Sequence, residues 1–306
     1  MGVGEAPLGT QDGFGSRSVL TDPRLGLIER LELAPALSGS ASEQAIRARA
    51  AFLTNVTDSP LGRVLRIERT GNGLAVVSAV PEGIPLSDLL AALEFKNSTL
   101  SGEELLELAG SVVAAVARMH ERLPFAHGAL TPAHIVLHSN GSTILTGAVY
   151  GDAVQALQRN RENLWKEFGL AFPSAASLPR FDQRGDVAQL GAVVLAITRR
   201  RALRRDEYPR GTNELVMSSA VSADPMIDSK LRAWLQDALQ LHGRVVFSSA
   251  VDAEHAFGAI LPAAEERSLE ALSLQTAIRQ LCGESETPQL STESLSTPSR
   301  SHLRAS

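Results

Sequence analysis

VAAVARMHERLPFAHGALTPAHIVLHSNGSTILTGAVYG, residues 113–151, is the stretch on which the fold turns. A helical run ends near Met119-His120. A loop follows from His127 to His134. Ile135–His138 and Thr143–Thr146 then read as two short strands. Between them stands Asn140-Gly141, a dipeptide that tolerates the positive φ of a tight hairpin.

Outward from this stretch the pattern stays helical. Ser101 stands three residues before Glu104, which predicts a capping box at the start of the helix that ends near His120. Leu105, Leu108, Val112, Val116 and Met119 give it an apolar stripe. Gly185 to Leu195 is apolar at nearly every position and predicts a helix with core on all sides. On the N-terminal side, 63–70 and 73–80 predict a hairpin, and 42–56 a helix capped by Ser40 or Ser42. Ser87 is the expected cap of the helix that starts in 85–90.

Composition limits the function classes. At 306 residues and 44% hydrophobic, the chain is long enough for a sizeable core. A net charge of −5 argues against a general nucleic-acid binder. One cysteine, Cys282, excludes an internal disulfide framework and fits a reducing compartment. The start has no leader pattern and no apolar run reaches the roughly 18 residues of a membrane helix, so a cytoplasmic chain is expected. Arginine outnumbers lysine, which fits a GC-rich bacterial source.

The helix, loop and hairpin of 113–151 resemble the catalytic segment of bacterial Ser/Thr protein kinases. There a helix ending near a His is followed by H-R/G-D-L-x-P-x-N-I-x-L, a turn and T-D-F-G. The frame matches at His120, His127, Gly128, Leu130, Pro132, Ile135, Leu137 and Thr146. The charged groups do not. Ala129 stands at the catalytic-loop Asp, Thr131 at the usual Lys, His134 at the metal-binding Asn, and Gly147 at the first position of D-F-G.

Further segments carry the same resemblance. Residues 13–33 are similar to the first three strands of these kinases, with Gly13, Gly15, Asp22, Arg24, Leu25 and Gly26 in register. Counted from Gly26, the strand Lys falls on Glu32. Arg47 and Arg49 stand near the place of the helix Glu that would pair with it, so a reversed pair with Glu32 is one expectation and solvated charges are the other. Pro81-Glu82-Gly83 resembles the hinge. The A-P-E place falls near Phe172-Pro173-Ser174, and Val246-Phe247 stand where R-P is usual, with Arg244 two residues off. Asp186 stands where kinases hold the catalytic-loop backbone, and the same structural task near His127 is expected of it.

The resemblance implies an α+β, two-lobed protein kinase-like fold with a small antiparallel β lobe and a mainly helical large lobe. It places a disordered start at 1–12, the small lobe at 13–83, the large lobe at 84–264, an extra helix at 265–282 and a disordered Ser/Thr/Pro-rich tail at 283–306. The expected function is that of a pseudokinase with no catalytic residue, no metal and no cofactor, which binds another protein such as an active Ser/Thr kinase or a phosphoprotein. The alternative is an atypical or weak ATP-dependent Ser/Thr kinase that recruits Asp152, Glu162 or Asp182 as metal ligands, with His127 or His134 as acceptor or base. A third reading is metal-free nucleotide binding at Gly13, Gly15 and Val77–Val80. The Arg199–Arg201, Arg204 and Arg205 cluster is either a phosphate-receiving patch or a solvated loop. Thr287 and Thr297, each before a proline, are expected phosphate acceptors.

Overall fold

The computed structural model describes residues 11–56, 60–71, 73–95, 100–138, 140–173, 178–243, 246–261 and 274–280. The small lobe begins with β1 (Gly15–Asp22) and β2 (Gly26–Leu33), paired antiparallel from Gly15↔Leu33 to Asp22↔Gly26. The Asp22 carboxylate accepts from the backbone N–H of Arg24 at 2.8 Å and of Leu25 at 3.0 Å, which closes the turn. Residues 13–33 therefore make two strands, not three. Two eight-residue strands and one turn use the whole stretch.

Helix α1 (Ser40–Leu53) follows, then β3 (Val64–Thr70) and β4 (Gly73–Ala79). The N-cap of α1 is Gly39, with no side-chain cap bond, rather than Ser40 or Ser42. The sheet is antiparallel throughout, in the order β1-β2-β4-β3.

The large lobe opens with β5 (Ile84–Pro85) and α2 (Leu86–Phe95). Ser87 lies inside α2 and donates to Asp88, so it is not the cap. Helix α3 (Gly102–Arg122) carries the expected capping box, with Glu104 N–H donating to Ser101 Oγ at 3.1 Å and Ser101 N–H to Glu104 at 2.6 Å. After a 3-10 turn at Pro132–His134 come β6 (Ile135–Leu137) and β7 (Thr143–Leu145), which with β5 form a three-stranded sheet. Then follow α4 (Gly151–Gln155), α5 (Arg161–Phe168), α6 (Gln183–Thr198), α7 (Thr212–Met217), α8 (Pro225–Ala238) and α9 (Ala250–Gly258). Residues 274–280 are helical, with Leu274 and Ile278 buried. No described helix is long and apolar enough to cross a membrane.

Two apolar cores result. One lies in the large lobe around α3 and α6, and α6 is buried from Gly185 to Thr198. The other crosses between the lobes. It joins Phe14, Leu31, Leu33, Ile46 and Val76 to Ala129, Tyr150, Val154, Leu164 and Phe168. The lobes thus share apolar surface, and the site sits on that shared core.

Candidate functional site

The loop after α3 is fastened by one carboxylate. Asp186 is fully buried at the start of α6. It accepts from His127 N–H at 2.5 Å and Gly128 N–H at 2.7 Å, and its Oδ2 lies 2.9 Å from His120 Nε2. Gln189, one turn on, accepts from Leu130 N–H at 2.7 Å. The loop peptides would otherwise be buried donors without partners. Gly128 has φ +73° and lies against Gly151, so no side chain fits there. His127 is fully buried with Nδ1 accepting from Ala129 N–H. Burial lowers its pKa to about 4 against the opposing pull of Asp186, so it is neutral at pH 7.

The degenerate positions Ala129, Thr131, His134 and Gly147 are joined by a contact of their own. Ala129 is fully buried and its carbonyl accepts from His134 Nδ1 at 2.7 Å. That fixes the tautomer: His134 Nδ1 carries the proton and Nε2 accepts. The donor to Nε2 is Arg17 Nη2, at 3.0 Å. Burial first, then the Arg17 charge, holds the His134 pKa well below its usual value. Gly147 has φ +78°, and a Cβ there would lie 2.9 Å from the His134 ring. The ring therefore occupies the space of any side chain at 147. Thr131 is buried beside this ring, its carbonyl accepting from His134 N–H at 2.9 Å.

The segment before β1 completes the plug. Asp12 accepts from Phe14 N–H at 2.8 Å and Gly15 N–H at 3.1 Å, which turns the chain inward. Phe14 is 2% exposed and meets the rings of His134, Tyr150 and Phe168 at 4.7, 5.5 and 5.1 Å. Arg17 is held by Asp12 at 3.0 Å and Glu29 at 3.1 Å. Burial works against its charge, but Glu29 and Asp12 outweigh burial and its pKa is raised. Gly13 stands before β1 and Gly15 is its first residue, and a Cβ on Gly13 would strike the Glu167 carbonyl. The sequence signal was a large aromatic between these glycines, which the G-x-G reading passes over.

The expected reversed pair is absent. Glu32 bonds Arg30 at 3.2 Å, not Arg47 or Arg49. Strand alternation explains why: Glu29 and Leu31 face the lobe interface, which puts Arg30 and Glu32 on the other face. Arg47 pairs instead with Glu43, one helical turn back, at 2.8 Å. Arg49 is buried and reaches the large lobe. Its Nε donates to Asp152 at 3.0 Å and Nη1 to the Ala126 carbonyl at 2.8 Å, and the guanidinium lies 3.9 Å from the Phe125 ring centroid. One arginine on α1 thus fastens α1 to the loop and to α4. Arg49→Ala is expected to cost about 2 kcal/mol, from the charged hydrogen bond and the ring contact. Urea denaturation checks this, and a loss under about 0.5 kcal/mol would place the clamp among exposed pairs of no consequence.

No family model matches this sequence, and no curated protein matches it. Solved structures do. The kinase domain of Mycobacterium tuberculosis PknI, as a double mutant, aligns at 15% identity with a TM-score of 0.54, over 85% of this chain and 99% of that one. The kinase domain of maize SIRK1, sucrose-induced receptor kinase 1, bound to AMP-PNP, aligns at 15% identity with a TM-score of 0.57, over 87% and 91%. The fold is protein kinase-like. At this identity the likeness is one of fold alone.

Within that kinase-like fold, the remaining candidates fall in several places. Val80 lines a cavity between the lobes, whereas Val77 is fully buried in β4 and does not line it. Asp152 is committed to Arg49, and Asp182 caps α6 by accepting from Gly185 N–H at 3.0 Å. Glu162 lies in the first turn of α5. In the arginine cluster, Arg199 donates to the Ser218 carbonyl, Arg200 to the Leu100 carbonyl and Arg201 to Glu207. Three of its five side chains thus fasten the loop after α6, which leaves Arg204 and Arg205 as the exposed pair. Ser174, Arg244, Thr287 and Thr297 lie outside the described residues, as do 1–10 and the tail.

Proposed function

We propose that this chain is a pseudokinase: a protein kinase-like fold that binds and regulates another protein, in bacterial Ser/Thr phosphorylation signalling, without transferring phosphate. One observation carries the reading. The His134 ring stands in the space that a side chain at Gly147 needs, and Arg17 bonds the far side of that ring. Kinases of this fold hold Mg²⁺ with an Asp and an Asn at these two places. Here a neutral imidazole that is already bonded on both nitrogens and a bare glycine replace them. The donor set does not fit a divalent ion, and the Arg17 cation next to it repels one.

The partner class follows from what kinase-like folds engage: an active Ser/Thr kinase or a phosphoprotein. The tail threonines Thr287 and Thr297 are proposed acceptors for such a kinase. The atypical-kinase reading needs Asp152 released from Arg49, Asp182 released from the α6 cap, or Glu162 brought in from α5, and it has no observation of its own.

The test is transfer of radiolabelled phosphate from ATP, with Mg²⁺ or Mn²⁺, to a generic substrate and to the chain itself. Incorporation is expected at the level of the protein-free control. Turnover near the 1–100 s⁻¹ typical of kinases would sink the proposal.

A further inference from the structure

The cavity between the lobes measures ≈ 110 Å³. Its lining is more apolar than polar, with Val64, Val80, Val136 and Val149, while Glu29 and Ser78 also face it. Pockets for drug-sized ligands start at about 300 Å³, whereas an apolar cavity of about 150 Å³ is enough to admit benzene. At ≈ 110 Å³ the space lies below both, so it holds no more than a single ring.

Two further observations set the chemistry of the occupant. Arg17, Gly147 and Tyr150 form one wall. Behind them lie His134 and Phe14, in contact with that wall. On the opposite side, two backbone donors at the end of β4 are already spent. Ala79 N–H donates to the Arg63 carbonyl at 2.9 Å and Val80 N–H to the Leu27 carbonyl at 3.1 Å, and Pro81 has no N–H. A base that relies on those two donors loses them on entry, while an uncharged ring does not depend on them.

We infer that this cavity is a binding site for a small, uncharged, single-ring aromatic molecule, and that it does not take nucleotides. The site rests on the non-transferring reading above, because it assumes that the Asp12–Gly15 turn, with Phe14 and Arg17, stays in place. Ring occupancy fills the space between the two lobes and tightens their contact, so it gives the regulatory reading a small-molecule input.

The experiment is a thermal-shift and calorimetric titration of the full chain with phenol and toluene, and separately with ATP, with and without Mg²⁺. Phenol or toluene is expected to raise Tm by about 3 °C at tenfold excess over Kd, and ATP to leave it unchanged. Val136→Phe fills the cavity and is expected to abolish the shift. Ala133→Phe acts from an exposed position at the rim, so it keeps the test open if Val136→Phe does not fold. No shift with either ring at millimolar concentration overturns the site. An undiminished shift in a folded cavity-filling variant does so too, and so does a shift with ATP. Phosphate transfer, measured separately, would sink the pseudokinase reading and leave the ring titration to be read by itself.

Discussion

Asp186→Ala is expected to remove about 4 kcal/mol of folding stability, a large share of the 5–15 kcal/mol a domain possesses. The reason is the number of groups that depend on one carboxylate. His127 N–H and Gly128 N–H both donate to it, and His120 Nε2 lies within bonding distance. All are buried, so no water replaces the lost acceptor. A buried donor left unpaired costs about 1–3 kcal/mol, and the losses here are coupled rather than additive. His120 carries the effect further, because its Nδ1 accepts from Ala250 N–H at 3.0 Å at the start of α9. The damage therefore reaches two helices and the loop together. Asp186→Asn keeps the volume and one acceptor oxygen, and is expected to lose less than Asp186→Ala. The measurement is the urea midpoint at pH 7.5. A loss below about 2 kcal/mol for the alanine variant would mean that the loop peptides find other partners.

Much of the fold was legible because it rests on local pattern. The apolar run Gly185–Leu195 predicted a helix buried on every side, and α6 is buried there throughout. Ser101 and Glu104 predicted a cap and form it. The β3–β4 hairpin falls within a residue of its expected bounds. The site was legible only as a set of losses. What replaced the lost groups comes from residues far apart in the chain: Arg17 with His134, separated by 117 positions, and Arg49 with Asp152, separated by 103. Periodicity carries no information about such pairs. Glu32 shows the same limit at short range. Counting residues from Gly26 placed it in the cleft, and the pleat of β2 turned it to the other face, where Arg30 takes it. The expectation of three strands failed for a related reason. The motif fixes the turn, but the pairing partner decides how far each strand extends.

Mild acid is expected to destabilise this protein before its carboxylates are protonated. His127 and His134 are both fully buried and both titrate below the usual value, His127 at about 4 against 6.5. For His127 the difference of about 2.5 pH units at 1.36 kcal/mol each gives about 3 kcal/mol. The sign follows from which state takes the proton. The unfolded chain binds protons as pH falls through 6.5, while the folded chain still refuses them. Stability is therefore complete above pH 6.5 and is lost progressively toward pH 4. His134 adds loss in the same direction, since a proton on Nε2 removes the acceptor of Arg17 and sets two cations 3.0 Å apart. Between pH 6 and 5 the unfolding free energy is expected to fall with a slope near two protons, about 2.7 kcal/mol per pH unit. His134→Asn removes one titrating group and should bring the slope toward one proton, a readout that a general loss of packing does not produce. A stability that stays flat from pH 6.5 to 5 would show that these imidazoles are already protonated or open to water. The neutral Arg17–His134 contact, and with it the closed plug, would then be untenable.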